Sequence, residues 1–495
     1  MFTQRPSHSS RQSEHDFLPG PYDRQPPSLS WLRWHNKRYA RIASFALLAL
    51  CLFAFIRGFT GGEGLMSVED APENHIFPPL YQQYHEQELR LPQHNPNLPF
   101  PEGRDGKFIW MANHVHASGW GNAMQELLLN SYLAYSAGRS FVFDNYTWNG
   151  DGSDYSDYNG KLIPSRIPLS AIIRGPTVGD PFPPGDHAPR AVIKEYFDQV
   201  CPTPRVISSD EVSHQLPDDA SAQTVLERWV ALLTAMPDRC VEIDRESLQI
   251  FSIWIFGSAR ALDIFPGFAA SPIMKQFRWS PLIESAFAAN RRTFAPLSGL
   301  EAFLPAFSFL GGSRAHPYPP IPGLLVLHVR RGDFVGHCMH LATWSSLWNG
   351  FNQFEALPDK FVPYPAGWGE LTDENTQLYM RRCFPSVEQI ITRVEEVRAT
   401  EEGRGLKSVF VMTNGAKEWV DELTAALMGT GHFKNVASSR DLKLNWEQKY
   451  VAQAVDMLIG ERAQVLVGNG FSSLTSNIVM MRMAKGLPPA TNRFW

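Results

Sequence analysis

Residues 324–338 read Leu-Leu-Val-Leu-His-Val-Arg-Arg-Gly-Asp-Phe-Val-Gly-His-Cys, and this stretch decides the fold. A short apolar run, bounded by Pro322-Gly323 on one side and Gly332 on the other, reads as a core strand of a parallel sheet. Ligands of open α/β sheets gather outside the carboxyl ends of the strands. His328, Arg330, Arg331 and Asp333 therefore arrive where such a sheet keeps its site. Two guanidiniums, planar and permanently charged, suit a diphosphate there. A salt-bridged strand end, Arg331 with Asp333, accounts for the same charges without any ligand.

Downstream, the pattern alternates: strand 324–329, helix 386–398, strand 408–412, helix 417–428, strand 433–436, helix 447–460, strand 464–467, helix 474–484. Such alternation predicts a parallel sheet with helices on its faces. An insert over 339–382, with Trp, Phe and Pro, covers the mouth of the first strand, and its aromatics either line a groove or pack as a local core. The last strand runs into Gly468-Asn-Gly-Phe-Ser472-Ser473-Leu474, immediately before a helix. One serine as N-cap explains part of this, while glycines, hydroxyls and a helix N-terminus together make a phosphate cradle. Thr413-Asn414-Gly415 lies at another carboxyl end, where a ribose or base could be held.

Upstream, strand 108–111, a loop with Gly119, Gly121 and Asn122, an apolar helix 123–137 closed by Gly138, and strand 140–143 form a β-loop-α-β unit. The loop glycines let backbone amides approach a ligand, although a tight turn needs them equally. His114 and His116 alternate on one side of an extended segment, but no third ligand accompanies them and no metal is expected. Asn145-Tyr-Thr is an N-glycosylation acceptor, expected on a surface loop. Loops and short strands are expected over 146–216, helices over 221–236, 254–264 and 281–290, and a Pro-rich linker over 315–323.

The 495 residues, 44% hydrophobic and 19% charged, suffice for two or three domains with their own cores. Lys plus Arg number 45 against 50 Asp plus Glu, a net charge of -5, so the balance points away from nucleic acid as a partner. Residues 1–38 have the composition of a disordered tail. Arg33, Lys37, Arg38 and Arg41 then precede the apolar run 42–56, closed by Arg57. As a helix those fifteen residues span about 22 Å, and Tyr39, Ala40 and the arginine stems extend it toward the roughly 27 Å of a thin bilayer.

A basic stretch this long before the apolar run is wrong for a cleaved signal. We expect a membrane anchor over 39–57, with the N-terminus cytosolic and the remainder lumenal, a type II arrangement. Residues 58–106 read as a stem. Four cysteines lie beyond the anchor, and in an oxidising lumen they form two disulfides. Cys201 with Cys240 and Cys338 with Cys383 keep each pair within one proposed domain.

Three segments resemble the GDP-fucose protein O-fucosyltransferase family and its fungal relatives. Gly119-Trp-Gly121-Asn122 with its helix and Arg139 is similar to the first motif, and His328-Val-Arg330-Arg331-Gly-Asp333-Phe to the His-x-Arg motif. Asp456, Gly468 and Ser472-Ser473-Leu474 are similar to the closing signature. The resemblance implies a GT-B-like α/β fold of two Rossmann-like domains, 107–315 on the acceptor side and 324–495 on the donor side. It also implies inverting transfer of fucose from GDP-fucose to a hydroxyl of a protein or glycan in the Golgi or endoplasmic reticulum, with no cofactor or metal.

On matching positions, the resemblance implies that Arg330 holds the β-phosphate, Ser472 and Ser473 bind the diphosphate, and Asp456 and His328 place the nucleotide. Members with a catalytic Glu in the first glycine loop have it where this chain has Trp120. Asp333, three residues from Arg330, is the expected base instead, with pairing to Arg331 as its alternative role and His337 as the next candidate. A non-catalytic binder that kept the donor pocket, or a transferase with another sugar donor, fits the same residues.

Overall fold

The computed structural model describes residues 76–295, 318–364 and 369–495, all within one compact unit that begins at His75. The expected tail, the anchor over 39–57 and the first part of the stem lie outside the described residues. Among the described residues no helix is long and apolar enough to cross a membrane.

The first half begins with α1 (Gln82–Leu89), followed by β1 (Phe108–Met111), α2 (Trp120–Ser136), β2 (Ser140–Phe143), β3 (Val192–Ile193), β4 (Arg205–Ile207), α3 (Ala222–Ala235) and β5 (Cys240–Ile243). Its sheet is parallel throughout, in the order β3-β2-β1-β5-β4. Helix α4 (Pro281–Ala289) leads toward the second half.

There β6 (Ile321–Val329), α5 (Phe334–Thr343), α6 (Asp373–Cys383), α7 (Val387–Arg398), β7 (Ser408–Thr413), α8 (Lys417–Gly429), β8 (Asn435–Ser438), α9 (Ala452–Glu461), β9 (Ala463–Gly468), α10 (Ser473–Ala484) and β10 (Asn492–Phe494) follow in turn. This sheet is also parallel, in the order β8-β7-β6-β9-β10. Its direction of winding reverses between β6 and β9, the switch point where doubly wound sheets hold ligands.

The two halves share a core. One apolar cluster runs from the first sheet to Leu324 and Val326, while Leu325, Leu327 and Val329 point the other way, against α7 and α8. Period-two alternation along β6 thus divides its side chains between a face turned to the first half and a face turned away.

Several expectations need correction. Strand β6 starts three residues early, at Ile321: Gly323, at φ +82°, shifts the register, and its N–H donates to Gln464 Oε1 at 2.6 Å where the ladder is irregular. The helix expected over 254–264 is broken into Ile253–Phe256 and Phe265–Ala270, separated by Gly257-Ser258 and a 3₁₀ turn.

The stem reading fails from Tyr81 onward, because its polar groups are paired inside the fold. Tyr81 Oη donates to Glu447 O (2.6 Å), Glu88 Oε1 accepts Ser170 N–H (2.8 Å), and Gln93 Nε2 donates to Ala191 O (2.7 Å). The insert aromatics pack locally, with Trp348 buried beside Phe361 and Phe494. Both disulfides pair as expected, Cys201 with Cys240 and Cys338 with Cys383, the latter fastening α5 to the end of α6.

Candidate functional site

Beyond Val329 the chain turns through Gly332, at φ +65°, into α5, and the two arginines part. Arg331 is buried on the face turned away. Its guanidinium lies between the rings of Phe384 (4.3 Å) and Trp419 (4.1 Å) and donates to Pro385 O. Burial pushes its pKa down to about 10. No ion pair joins Arg331 to Asp333, so the salt-bridged strand end is not what is found. Asp333 is exposed ahead of α5, and His337 is exposed on that helix. Arg330 is half-buried over the Phe334 ring at 4.9 Å and makes no hydrogen bond or ion pair among the described residues. It is the guanidinium left available for a ligand.

Asn414 plays a different part from the one its position suggested. Its Oδ1 accepts Arg331 N–H (2.8 Å) and its Nδ2 donates to Arg331 O (3.0 Å), so the side chain braces the turn that carries Arg330. His328 is likewise a strut. Buried and kept neutral, with its pKa lowered to about 3 by burial first and the Arg330 charge second, it bonds Thr475 Oγ1 at 2.7 Å and ties β6 to α10. Asp456, on α9, accepts Ser439 Oγ–H at 2.8 Å, and Ser439 Oγ accepts Thr413 N–H at the end of β7. The other oxygen of Asp456 is shielded and has no partner, and burial raises the carboxyl pKa to about 7.

Helix α10 starts at Ser473 with Ser472 as N-cap, whose Oγ accepts Leu474 N–H at 3.3 Å. Helix α2 starts at Trp120 with Gly119 as its N-cap. These two N-termini meet. A Cβ on Gly121 would stand 2.6 Å from Ser473 Oγ and 2.8 Å from Leu474 N, and Asn477 Nδ2 donates to Gly121 O at 2.7 Å. Gly121 is therefore a close-packing glycine between the halves, whereas Gly119 faces open space. Asn122 Nδ2 holds Ser118 Oγ at 3.0 Å. Each helix springs from the carboxyl edge of its own sheet, so the contact brings both edges together. Two positive helix ends that meet repel one another unless an anion lies between them, and Arg330 follows β6, the strand paired with the β9 that leads into α10.

Arg139 does not join this site. It is buried at the opposite strand ends, donating to Leu233 O (2.9 Å) and Asp238 O (2.9 Å). Asn145 is half-buried, its amide donating to Asp144 Oδ1 at 3.0 Å, rather than lying on an open loop. It lines a cavity of about 40 Å³ beneath the first loop, together with His114, Trp120, Glu126 and Asn130.

Sequence reasoning passed over Glu126. It is 3% exposed, and its Oε2 accepts Val115 N–H at 2.7 Å. Its other oxygen, Trp120 Nε1 and Asn130 Oδ1 have no partner. Burial raises its pKa to about 7. A lone carboxylate in the apolar run of α2 was the one available signal. His114 and His116 face each other, Nε2 to Nε2, at 3.1 Å. Among the described residues no group of three side chains could hold a metal. A groove of about 1130 Å³ opens beside Arg331 and Trp419, and Arg330, Asp456, Ser472 and Ser473 do not line it.

No family profile matches the sequence, and no curated protein matches it significantly. Solved structures similar to this chain include POFUT1 in complex with GDP-fucose, at 16% identity and TM-score 0.41, over 79% of this chain and 98% of that one. They also include NodZ alpha-1,6-fucosyltransferase soaked with GDP-fucose, at 13% identity and TM-score 0.35, over 76% and 92%. A third is a point mutant of Arabidopsis thaliana FUT1 in complex with GDP, at 10% identity and TM-score 0.34, over 82% and 73%. At such TM-scores these are distant likenesses.

Proposed function

We propose that the chain is a GT-B-like glycosyltransferase that moves fucose from GDP-fucose to a hydroxyl of a protein or glycan, with inversion and without a metal. In this reading residues 39–57 anchor it as a type II protein of the Golgi or endoplasmic reticulum membrane, with the folded part lumenal. The observation that carries the proposal is the meeting of the N-termini of α2 and α10 at the switch point of the second sheet, where Arg330 follows β6, the strand paired with β9. A diphosphate there neutralises two helix ends and one guanidinium together. Arg330 offsets the charge that grows on the departing β-phosphate. Ser472 and Ser473 supply hydroxyls, and the shielded carboxyl of Asp456 faces the nucleotide.

One observation favours a second reading, a nucleotide-sugar binder without turnover. Trp120, where some relatives hold the base, is 2% exposed and packed on Tyr146. Full-length protein in detergent, given GDP-fucose and other nucleotide sugars in parallel, separates the readings. Release of GDP from GDP-fucose in preference to the others supports the enzyme. A thermal shift with GDP but no turnover supports the binder, and no shift with any nucleotide refutes both.

A further inference from the structure

We propose that the His114–His116 pair accepts the proton of the hydroxyl that receives the sugar, with Glu126 as the residue that positions it. This rests on the transferase reading above. The pair lies on the loop between β1 and α2, and the end of that loop, Gly119 to Gly121, runs into the junction with Ser473. A base on this loop serves the acceptor from the first half while Arg330 serves the leaving group from the second.

The pairing itself prepares a base. With Nε2 facing Nε2 at 3.1 Å, one ring must donate and the other accept. Two neutral rings so joined leave one Nδ1 carrying hydrogen and the other Nδ1 with its lone pair. Burial lowers the pKa of both, that of His114 to about 4, so the pair stays neutral and able to accept at neutral pH. The charged groups acting on it are Asp144, which favours the protonated form, and Arg245, which opposes it. Glu126 pins Val115, the residue between the two rings, and the Trp110 ring packs edge-on to His114 at 5.4 Å. The pair is therefore held in place by the buried face of α2 and by β1.

In the step, the acceptor oxygen bonds the sugar carbon while the bond from that carbon to the phosphate oxygen breaks. The electron pair leaves with GDP, and the hydroxyl proton passes to the vacant ring nitrogen. The imidazolium then shares its charge with the second ring and with Asp144.

The test uses full-length protein in detergent, with GDP-fucose as donor, water as the probe acceptor, and the GDP-induced thermal shift as the check on fold and donor site. Expected for His116→Gln is a loss of about 100-fold in GDP-fucose hydrolysis with the thermal shift retained. The acid limb of the wild-type pH profile, below the ordinary histidine range, should disappear. Glu126→Ala should lower the rate with the GDP shift unchanged, and Glu126→Gln, which keeps an oxygen for Val115 N–H, should restore most of it. Hydrolysis by His116→Gln within threefold of wild type, or a 100-fold loss in Asp333→Asn instead, overturns the inference. Wild-type protein that binds GDP without hydrolysing GDP-fucose overturns the base together with the enzyme reading. Absence of any GDP shift in wild type overturns the donor site itself.

Discussion

Replacing Gly121 by alanine tests the junction on which the site is built. In isolation the change favours the helix, since alanine exceeds glycine by up to about 1 kcal/mol in a helix interior and by less in a first turn. Against this, the new methyl group would stand 2.6 Å from Ser473 Oγ, 2.8 Å from Leu474 N and 3.1 Å from Leu474 Cα. Ser473 can rotate away, but the two Leu474 atoms are backbone and cannot move without shifting α10. Overpacking of this kind costs about 1–3 kcal/mol, so a net loss of about 1–2 kcal/mol is expected. The strain falls on the N-terminus of α10, and losing one well-placed helix end weakens an anion by about 1 kcal/mol, roughly fivefold in GDP affinity. Urea denaturation and GDP titration read the two effects. Gly119→Ala is the control: nothing lies within 4 Å of its Cβ, and only a cap preference of under about 1 kcal/mol is at stake. Equal stability and equal GDP affinity in Gly121→Ala and wild type would show that the two helix ends do not abut.

Arg330→Ala should lower GDP-fucose turnover by about 100-fold while leaving the melting temperature within a few degrees, because the side chain has only a ring contact to lose; turnover within a few-fold of wild type rejects its role. Glu126 supplies a pH prediction. Its folded pKa is raised to about 7, so its contribution to stability is present below about pH 4.5 and lost as pH rises through 7. Glu126→Gln should therefore be more stable than wild type at pH 8 and little changed at pH 5, and equal melting curves at pH 8 would contradict the burial argument. Non-reducing peptide mapping should recover Cys201 with Cys240 and Cys338 with Cys383. Each loop, with separations of 39 and 45 residues, stabilises by about 4 kcal/mol in the chain-entropy picture, and free thiols at either pair would be contrary evidence.

Much of the fold was legible because its strands are apolar runs with Gly or Pro at their ends. Strands 108–111 and 140–143 have the boundaries the sequence predicts, and Gly138 ends α2 as its left-handed conformation allows. Errors arose where a local signal had a distant answer. Pro322-Gly323 looks like punctuation until the side chain of Gln464 completes the strand from another part of the chain. Residues 81–94 look like a stem because the backbone groups that satisfy Glu88 and Gln93 lie in a loop region of no pattern.

The site divides in the same way. Arg330 and the serines announce themselves by standing at strand ends. Asn414 looked like a ligand group because nothing local shows that both ends of its amide are already engaged. The approach of Gly121 to Ser473 joins residues from opposite ends of the folded unit, and Glu126 turns inward to accept the backbone N–H of Val115. Neither leaves a trace in spacing.

The junction also limits how the molecule can move. Two-lobed enzymes commonly open by rotation about a distant hinge, like a clam shell. Here the two halves are pinned where the N-termini of α2 and α10 meet, by the Gly121 contact with Ser473 and the Asn477 bond to Gly121 O, over a core that both share. Wide rotation would have to break that pin first. In the proposed transferase, substrate then comes and goes along the open side of Gly119 and the exposed turn at Gly332, and two short loops rather than the swing of a lobe pace turnover. Small-angle scattering profiles with and without GDP should superimpose.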